Sequence, residues 1–339
     1  MSKTQSTIGT VVNCDVQLLT PLSYSDRSHK LCILPNGVLA LLISDPEDKM
    51  TSCSISVASG SHSDIKGQPG VAHLFEHMLL AGGSRDYPRP GYYIDAIAKY
   101  NGFQNAFTTG EQTTFYFEVP VLSAGGTVTF ENVMDILSSY FREPIFNPLI
   151  MNKEVYAINS EHESNMSSLS KILYHATRLL ANPDHPFSQF STGNIKSLGN
   201  MSEHHSQNLR SMLTDYYKRC VSPDKMTICL RGPQSLNMLT KIAYSKIGTN
   251  WKRRKSIRRS LSSIKLNPHI RSKIGTEHKK RSTNIENFSI LQKEWLPKYG
   301  SIPCFLPCSN ENHNSIFISS NKTSTVRFIF PVNLNGKSL

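Results

Sequence analysis

The 339-residue sequence has no uninterrupted apolar run long enough to cross a membrane. Residues 1–20 also lack the apolar core of a secretory signal peptide, so we expect a cytoplasmic location. The seven cysteines are odd in number and irregularly spaced, which argues against a disulfide framework. Cys304 and Cys308 lack a second pair that would complete a structural zinc site, and we interpret both as ordinary thiols.

Acidic residues are scarce relative to basic ones, and the net charge is +12. The excess is local, because residues 252–281 contain twelve Lys and Arg but a single acid, Glu277. Binding of nucleic acid or of an acidic membrane surface is one interpretation of this segment. It has no interleaved aromatic residues and no recognition motif, so a flexible linker is favoured and no specific nucleic-acid partner is expected.

Residues 21–250 carry the periodic patterns of a folded domain. Alternating and apolar runs predict a β-hairpin around Pro35-Asn36-Gly37, and either a second hairpin or one long bent strand within residues 103–119. Apolar spacings of three and four predict helices, including a long helical stretch from Pro148 to about Leu180. This mixture of strands and helices indicates an α+β fold.

We expect four regions along the chain. Residues 1–20 form an N-terminal extension, and residues 21–250 form the folded domain. Composition becomes basic and serine-rich near Trp251, which predicts a flexible linker over residues 251–320. Residues 321–339 predict a single apolar strand, which cannot form a core alone and would be the first strand of a truncated second domain.

The segment GVAHLFEHMLLAGG, residues 70–83, sets three polar side chains in an apolar run. A helix is predicted to begin near Val71, and on it His73 and His77 lie one turn apart with Glu76 on the same face. Two imidazoles and a carboxylate in this pattern suit a zinc ion, with Glu76 as a general base. The alternative is an amphipathic helix with incidental histidines, which would bury polar groups at a cost.

A zinc site needs a third protein ligand, and the segment NKEVYAINSEHESN contains the candidates. Glu154 and Glu161 are seven residues apart and lie on one face of a helix. A solvated acidic face is the simpler interpretation of glutamates on a helix. Val155 and Ile158 indicate instead that this helix is largely packed.

Four segments of the sequence resemble the insulinase (pitrilysin-like) family of inverted zinc metallopeptidases, which carry an H-x-x-E-H motif. They are HLFEHML, NAFTTGEQTTFYFEV, EVYAINSEHESN and NPDHPFSQFSTGN, in the family's order. The resemblance implies a mostly antiparallel mixed sheet with helices packed on one face. It also implies Zn²⁺ on His73, His77 and Glu161, with Glu76 as general base and Glu154 orienting a histidine.

The same resemblance gives a role to the strand at residues 104–108. In the family this edge strand binds the backbone of a peptide substrate by strand addition. Asn105 and Ala106 would make those contacts, and Phe107 would lie near the pocket. Core packing is the alternative explanation for Phe107.

Within the family, the likeness is to a fungal branch that matures a peptide pheromone and takes part in axial bud-site selection. It implies a zinc metalloendopeptidase in the cytoplasm, with the cell cortex or bud neck as further locations. Family members are about three times longer, so the chain would hold only the first of four domains, and the missing C-terminal half would be a partner. A catalytically weak or inactive truncated product, or a scaffold at the cell cortex, is the alternative.

Overall fold

The computed structural model of the protein describes residues 11–14, 22–65, 67–121, 126–199, 203–249 and 251. Its strands are β1 Val12–Cys14, β2 Ser28–Ile33, β3 Leu39–Ser44, β4 Met50–Val57, β5 Phe103–Thr108, β6 Thr113–Pro120 and β7 Met226–Gly232. Its α-helices are α1 Val71–Ala81, α2 Tyr92–Lys99, α3 Gly126–Arg142, α4 Pro148–Asn165, α5 Leu169–Leu179, α6 Ile195–Leu198, α7 Glu203–Cys220 and α8 Leu236–Ala243.

The seven strands form one sheet in the order β1-β2-β3-β7-β4-β6-β5. Strands β3 and β7 run parallel, and the other neighbouring pairs of this sheet run antiparallel. The α+β fold with a mostly antiparallel sheet is therefore confirmed. Strand β5 lies at one edge of the sheet, with only β6 beside it among the described strands.

Burial alternates along the strands, as it does for a sheet with one packed face. In β4 the buried positions are Thr51, Cys53, Ile55 and Val57, and the residues between them are half-buried. These buried strand residues join the apolar faces of the helices in one hydrophobic core. Helix α1 packs in this core, and its residue Phe75 is fully buried.

The hairpin and the long helical stretch are confirmed. Gly37 has a positive φ of 98° in the turn that connects β2 to β3. The helical stretch consists of two helices, α4 and α5. Helix α4 begins at Pro148 because Pro fits the first helical position, and the side chain of Asn147 accepts a hydrogen bond from the backbone N–H of Leu149.

Three elements lie outside the sequence-based expectations: strand β1, the short helix α6 and helix α7. Strand β1 pairs with β2, so part of the N-terminal extension 1–20 belongs to the sheet. Helix α7 was not predicted, although its buried residues Leu209, Leu213 and Tyr216 show a helical spacing of four and three. The polar residues around them obscured this pattern.

The boundary at residue 251 differs slightly from the prediction. Trp251 is buried, and its ring lies 5.9 Å from the ring of Phe141, so it packs on the folded domain. The rest of the predicted linker 251–320, including the basic segment 252–281, lies outside the described residues. The predicted strand in residues 321–339 also lies outside them.

Candidate metal centre

The first turn of α1 is held by a carboxylate from the preceding loop. Asp64 accepts hydrogen bonds of 2.7 Å from the backbone N–H groups of Gly70 and Ala72. Carboxylates are favourable at this position because helix N-termini carry unpaired N–H groups and a partial positive charge. Burial raises the pKa of Asp64 to about 7, although the two backbone hydrogen bonds oppose the rise.

Two faces of α1 have different surroundings. Leu74, Phe75, Met78 and Leu79 are fully buried in the core. The side chains of His73 and His77 are only 15% and 16% exposed, and they lie at the wall of a cleft with a volume of about 460 Å³. The helix therefore anchors itself with its apolar face and presents the polar residues to the cleft.

Helix α4 brings a glutamate to the two histidines. The Nε2 atoms of His73 and His77 each lie 3.5 Å from a carboxylate oxygen of Glu161. One ligand atom from each of the three residues falls within 4.8 Å of the others. Zinc bonds of about 2.0–2.2 Å to nitrogen and oxygen place neighbouring ligands of a tetrahedron about 3.3–3.6 Å apart. The donor set fits zinc in its chemistry, and the two histidine–Glu161 distances of 3.5 Å fit the spacing of tetrahedral ligands.

The other nitrogen of each histidine is already hydrogen-bonded. His73 Nδ1 lies 2.7 Å from the backbone oxygen of Thr192, and His77 Nδ1 lies 2.9 Å from Glu154 Oε2. Because a carbonyl and a carboxylate only accept, both Nδ1 atoms carry the proton in these bonds. This arrangement leaves both Nε2 lone pairs directed at Glu161 and available to a metal.

A close backbone approach makes the contact with Thr192 possible. Gly70, at the start of α1, packs against Gly193, and a Cβ on Gly70 would lie 2.5 Å from the Cα of Gly193. Both glycines have positive φ angles, 101° and 81°. Larger residues would separate the two segments, so these glycines hold the Thr192 carbonyl against His73.

The centre carries an excess of negative charge. Burial lowers the pKa of His77, but the hydrogen bond to Glu154 and the charges of Glu161 and Glu76 outweigh it, and the pKa is raised. Burial also raises the pKa of Glu76, while the hydrogen bond from Thr108 and the charges of the histidines oppose the rise. Such a field favours a bound cation.

The edge strand β5 runs along the same cleft. Asn105, Ala106 and Phe107 all line it, as do Gln104 and Thr108. Phe107 is 43% exposed, with its ring 6.5 Å from that of Tyr116, so core packing does not explain it. The side-chain oxygen of Asn105 accepts a hydrogen bond from the N–H of Ala106. The predicted substrate residues therefore lie together at an open sheet edge beside the histidines.

Sequence reasoning missed three contributors to the centre. The Thr192 contact uses a backbone carbonyl group, which every residue type has, so the sequence does not indicate it. Asp64 could have been found as an acid shortly before a helix, where such residues cap N-terminal N–H groups. Thr108 donates a hydrogen bond of 2.5 Å to Glu76 Oε2, and a threonine at a strand end carries no local signal of that contact.

Comparison with known proteins shows which sequences and folds this chain resembles. The sequence profile of the insulinase family, peptidase family M16, matches residues 39–184. The chain is 50% identical over 326 residues to the AXL1 protein of Saccharomyces cerevisiae, covering 95% of this chain and 27% of AXL1. It is 34% identical over 219 residues to the A-factor-processing enzyme of the same yeast, covering 65% of this chain and 21% of that enzyme. Residues 39–184 of the chain therefore form an insulinase-family (peptidase family M16) domain.

More distant relatives extend the picture. The chain is 33% identical over 216 residues to the insulin-degrading enzyme of Homo sapiens, covering 64% of this chain and 20% of that enzyme. The crystal structure of pitrilysin has the same fold, with a TM-score of 0.64 at 24% identity, and the match covers 74% of this chain and 26% of pitrilysin. The chain thus spans about a quarter of the length of the relatives it matches.

Among the described helices, none is long and apolar enough to span a bilayer.

Proposed function

We propose that this chain carries the zinc centre of a metalloendopeptidase. His73, His77 and Glu161 would bind Zn²⁺, and Glu154 would orient His77. The observation that carries the proposal is the convergence of two histidine Nε2 atoms on Glu161, each at 3.5 Å, while both Nδ1 atoms are held from behind. A structural role alone would not require both rings to leave the same face open.

Glu76 has the position of a general base in this proposal. Glu76 lies between His73 and His77 in the sequence. It is buried at the wall of the cleft, and it is not one of the three residues whose ligand atoms converge. A zinc ion, when bound, polarises a carbonyl group and lowers the pKa of water. Glu76 would accept the proton that water loses and deliver it to the leaving amine, as general acid–base catalysis requires.

The edge strand gives the substrate class. An extended peptide that pairs with β5 would present its backbone to the cleft, with Asn105 and Ala106 as backbone contacts and Phe107 beside the pocket. Main-chain pairing depends little on side chains, so broad tolerance of sequence is expected. The side chains of Ala106 and Gln104 would contact alternate substrate residues because side chains alternate along a strand.

The likeness to AXL1 and to the A-factor-processing enzyme extends the proposal to physiology. We infer that the substrate is a pheromone precursor, and that the protein acts in the cytoplasm, with the cell cortex or bud neck as sites of a role in axial bud-site selection. Because the chain spans about a quarter of these relatives, a C-terminal half would supply the opposing wall of the chamber. The domain divisions 1–20, 21–250, 251–320 and 321–339 belong to the same proposal, except that Val12–Cys14 and Trp251 join the folded domain.

A second candidate function is a non-catalytic one, as a truncated product or a scaffold. The exposure of the Glu161 side chain, 50%, favours it, because this ligand has no covering wall within the described residues. An open cleft excludes water poorly and orients a substrate less well. For the isolated chain we therefore expect weak turnover at most.

Zinc content and peptide turnover test both candidates. The purified chain should bind one zinc ion, and His73→Ala should abolish this binding, whereas Glu163→Gln on the exposed side of α4 should not. Equal zinc content in the wild type and His73→Ala would contradict the metal site. A quenched fluorogenic peptide then separates the two functions: turnover that is lost in Glu76→Gln supports the peptidase, and turnover that survives in that variant excludes Glu76 as the base.

A further inference from the structure

Glu76 is held by a single neighbouring side chain. The residue is 7% exposed, and its Oε2 accepts a hydrogen bond from Thr108 Oγ1 at 2.5 Å, the range of a strong O–H···O⁻ bond. Among the described residues, no other group makes a hydrogen bond to the Glu76 side chain. The conformation of this carboxylate therefore depends on Thr108.

The backbone position of Thr108 is set by the pairing of β5 with β6. Thr108 pairs with Thr113 in the register of β5 and β6, and their hydroxyl oxygens lie 3.3 Å apart. Thr113 donates its proton to the backbone oxygen of Ser59 at 3.0 Å. A threonine has one O–H proton, and an ionised carboxylate only accepts, so the proton of Thr108 is committed to Glu76.

This bond restrains the orientation of the Glu76 carboxylate and leaves one of its two equivalent oxygens without a hydrogen bond from Thr108. The terminal torsion of a glutamate is broad and roughly two-fold, so an untethered carboxylate would rotate freely. With Oε2 tied to the strand, Oε1 is the oxygen left to act on water. A base must be held within hydrogen-bond reach of the proton it removes, so rotation would reduce the reactive fraction.

We propose that Thr108 is a positioning residue that holds the carboxylate of Glu76 in its reactive orientation. The proposal rests on the proposed peptidase function. Thr108 also ends the strand that would bind the substrate, two residues beyond Ala106 and on the same side of β5. One hydrogen bond thus connects the substrate-binding edge to the general base.

A double-mutant cycle in the metal-free full-length chain tests the bond without any need for activity. The variants are Thr108→Val, Glu76→Met and their combination, and the measurement is urea unfolding. Hydrogen bonds to charged groups predict that Thr108→Val lowers the folding equilibrium constant about tenfold or more in the wild-type background. In the Glu76→Met background the loss should be less than about threefold. Equal losses in the two backgrounds would overturn the proposal.

A matched control uses Thr114, which follows Thr113 in β6. Thr114 is buried, and its hydroxyl lies 2.8 Å from that of Ser56 rather than near Glu76. Thr114→Val should therefore have the same effect whether residue 76 is Glu or Met. Thr108→Ser keeps the hydroxyl and should restore the coupling.

Kinetics of the zinc-loaded full-length chain test the positioning role. With a fluorogenic peptide, Thr108→Val should lower kcat about tenfold while KM stays within about twofold, and Thr108→Ser should recover most of kcat. Zinc content should stay unchanged in both variants. An unchanged kcat in Thr108→Val, or no recovery in Thr108→Ser, would overturn the role. Absence of turnover in the zinc-loaded wild type would instead favour the non-catalytic candidate over the peptidase, and the metal-free cycle would then decide on the Thr108 bond.

Discussion

Replacement of Glu154 by glutamine probes the support of the proposed metal ligands. Glu154 Oε2 lies 2.9 Å from His77 Nδ1, and the two side chains are only 20% and 16% exposed. A glutamine side chain is nearly the same size and can still accept a hydrogen bond, but it carries no negative charge. The change therefore isolates the electrostatic part of the interaction.

The expected loss follows from the strength of this bond. Hydrogen bonds to charged groups contribute about 1.5–3 kcal/mol, and loss of such a partner of a metal-binding histidine reduces metal affinity about 10–100-fold. A hundredfold change corresponds to about 2.7 kcal/mol, so the two figures agree. We expect Glu154→Gln to weaken zinc binding within that range and to leave one zinc ion per chain at saturation.

Competition between the protein and a coloured chelator at neutral pH measures this affinity. Glu163→Gln is the matched control, because Glu163 lies on the same helix and is exposed, and its side chain accepts a hydrogen bond only from Asn159 among the described residues. That variant should bind zinc like the wild type. Unchanged affinity in Glu154→Gln, or an equal loss in both variants, would refute the assignment of Glu154.

Two further predictions concern the helix that carries the motif. Phe75→Ala should destabilise the chain by about 3–5 kcal/mol in urea unfolding, because Phe75 is fully buried. The control Phe103→Ala, at a site that is 52% exposed, should cost under about 1 kcal/mol. Comparable losses in the two variants would contradict the burial of Phe75 in the core. Asp64, with its pKa raised from 3.8 to about 7, favours the folded state when protonated, so this contribution is lost as pH rises through about 7. Thermal unfolding of the metal-free chain from about pH 5 to pH 8 should therefore show a steeper loss for the wild type than for Asp64→Asn, and parallel curves would contradict the raised pKa.

Much of the candidate site could be read from local spacing. His73 and His77 are one helical turn apart, and Glu154 and Glu161 are two turns apart, so each pair shares a face once the helix forms. Residues near 71 and 148 also mark the helix starts. The fold class followed in the same way, because strand and helix periodicities are properties of short segments.

Other features required the three-dimensional structure because they join distant segments. His73 meets the Thr192 carbonyl across 119 residues, and Glu76 meets Thr108 across 32. No local pattern records a backbone carbonyl as a partner. The position of β5 at the sheet edge depends on the order of all seven strands, in which β7 lies between β3 and β4.

The sequence by itself determined most of the helices, the shared faces of the polar residues and the mixed fold, because backbone sterics and apolar periodicity act over a few residues. Only the tertiary structure decided that α1 and α4 pack so that Glu161 meets both Nε2 atoms. It also decided that the Gly70–Gly193 approach holds His73 and that Thr108 holds Glu76. These contacts form because the packing of the whole core fixes the relative positions of segments that are far apart in the sequence. No local sequence pattern indicates that two such segments meet.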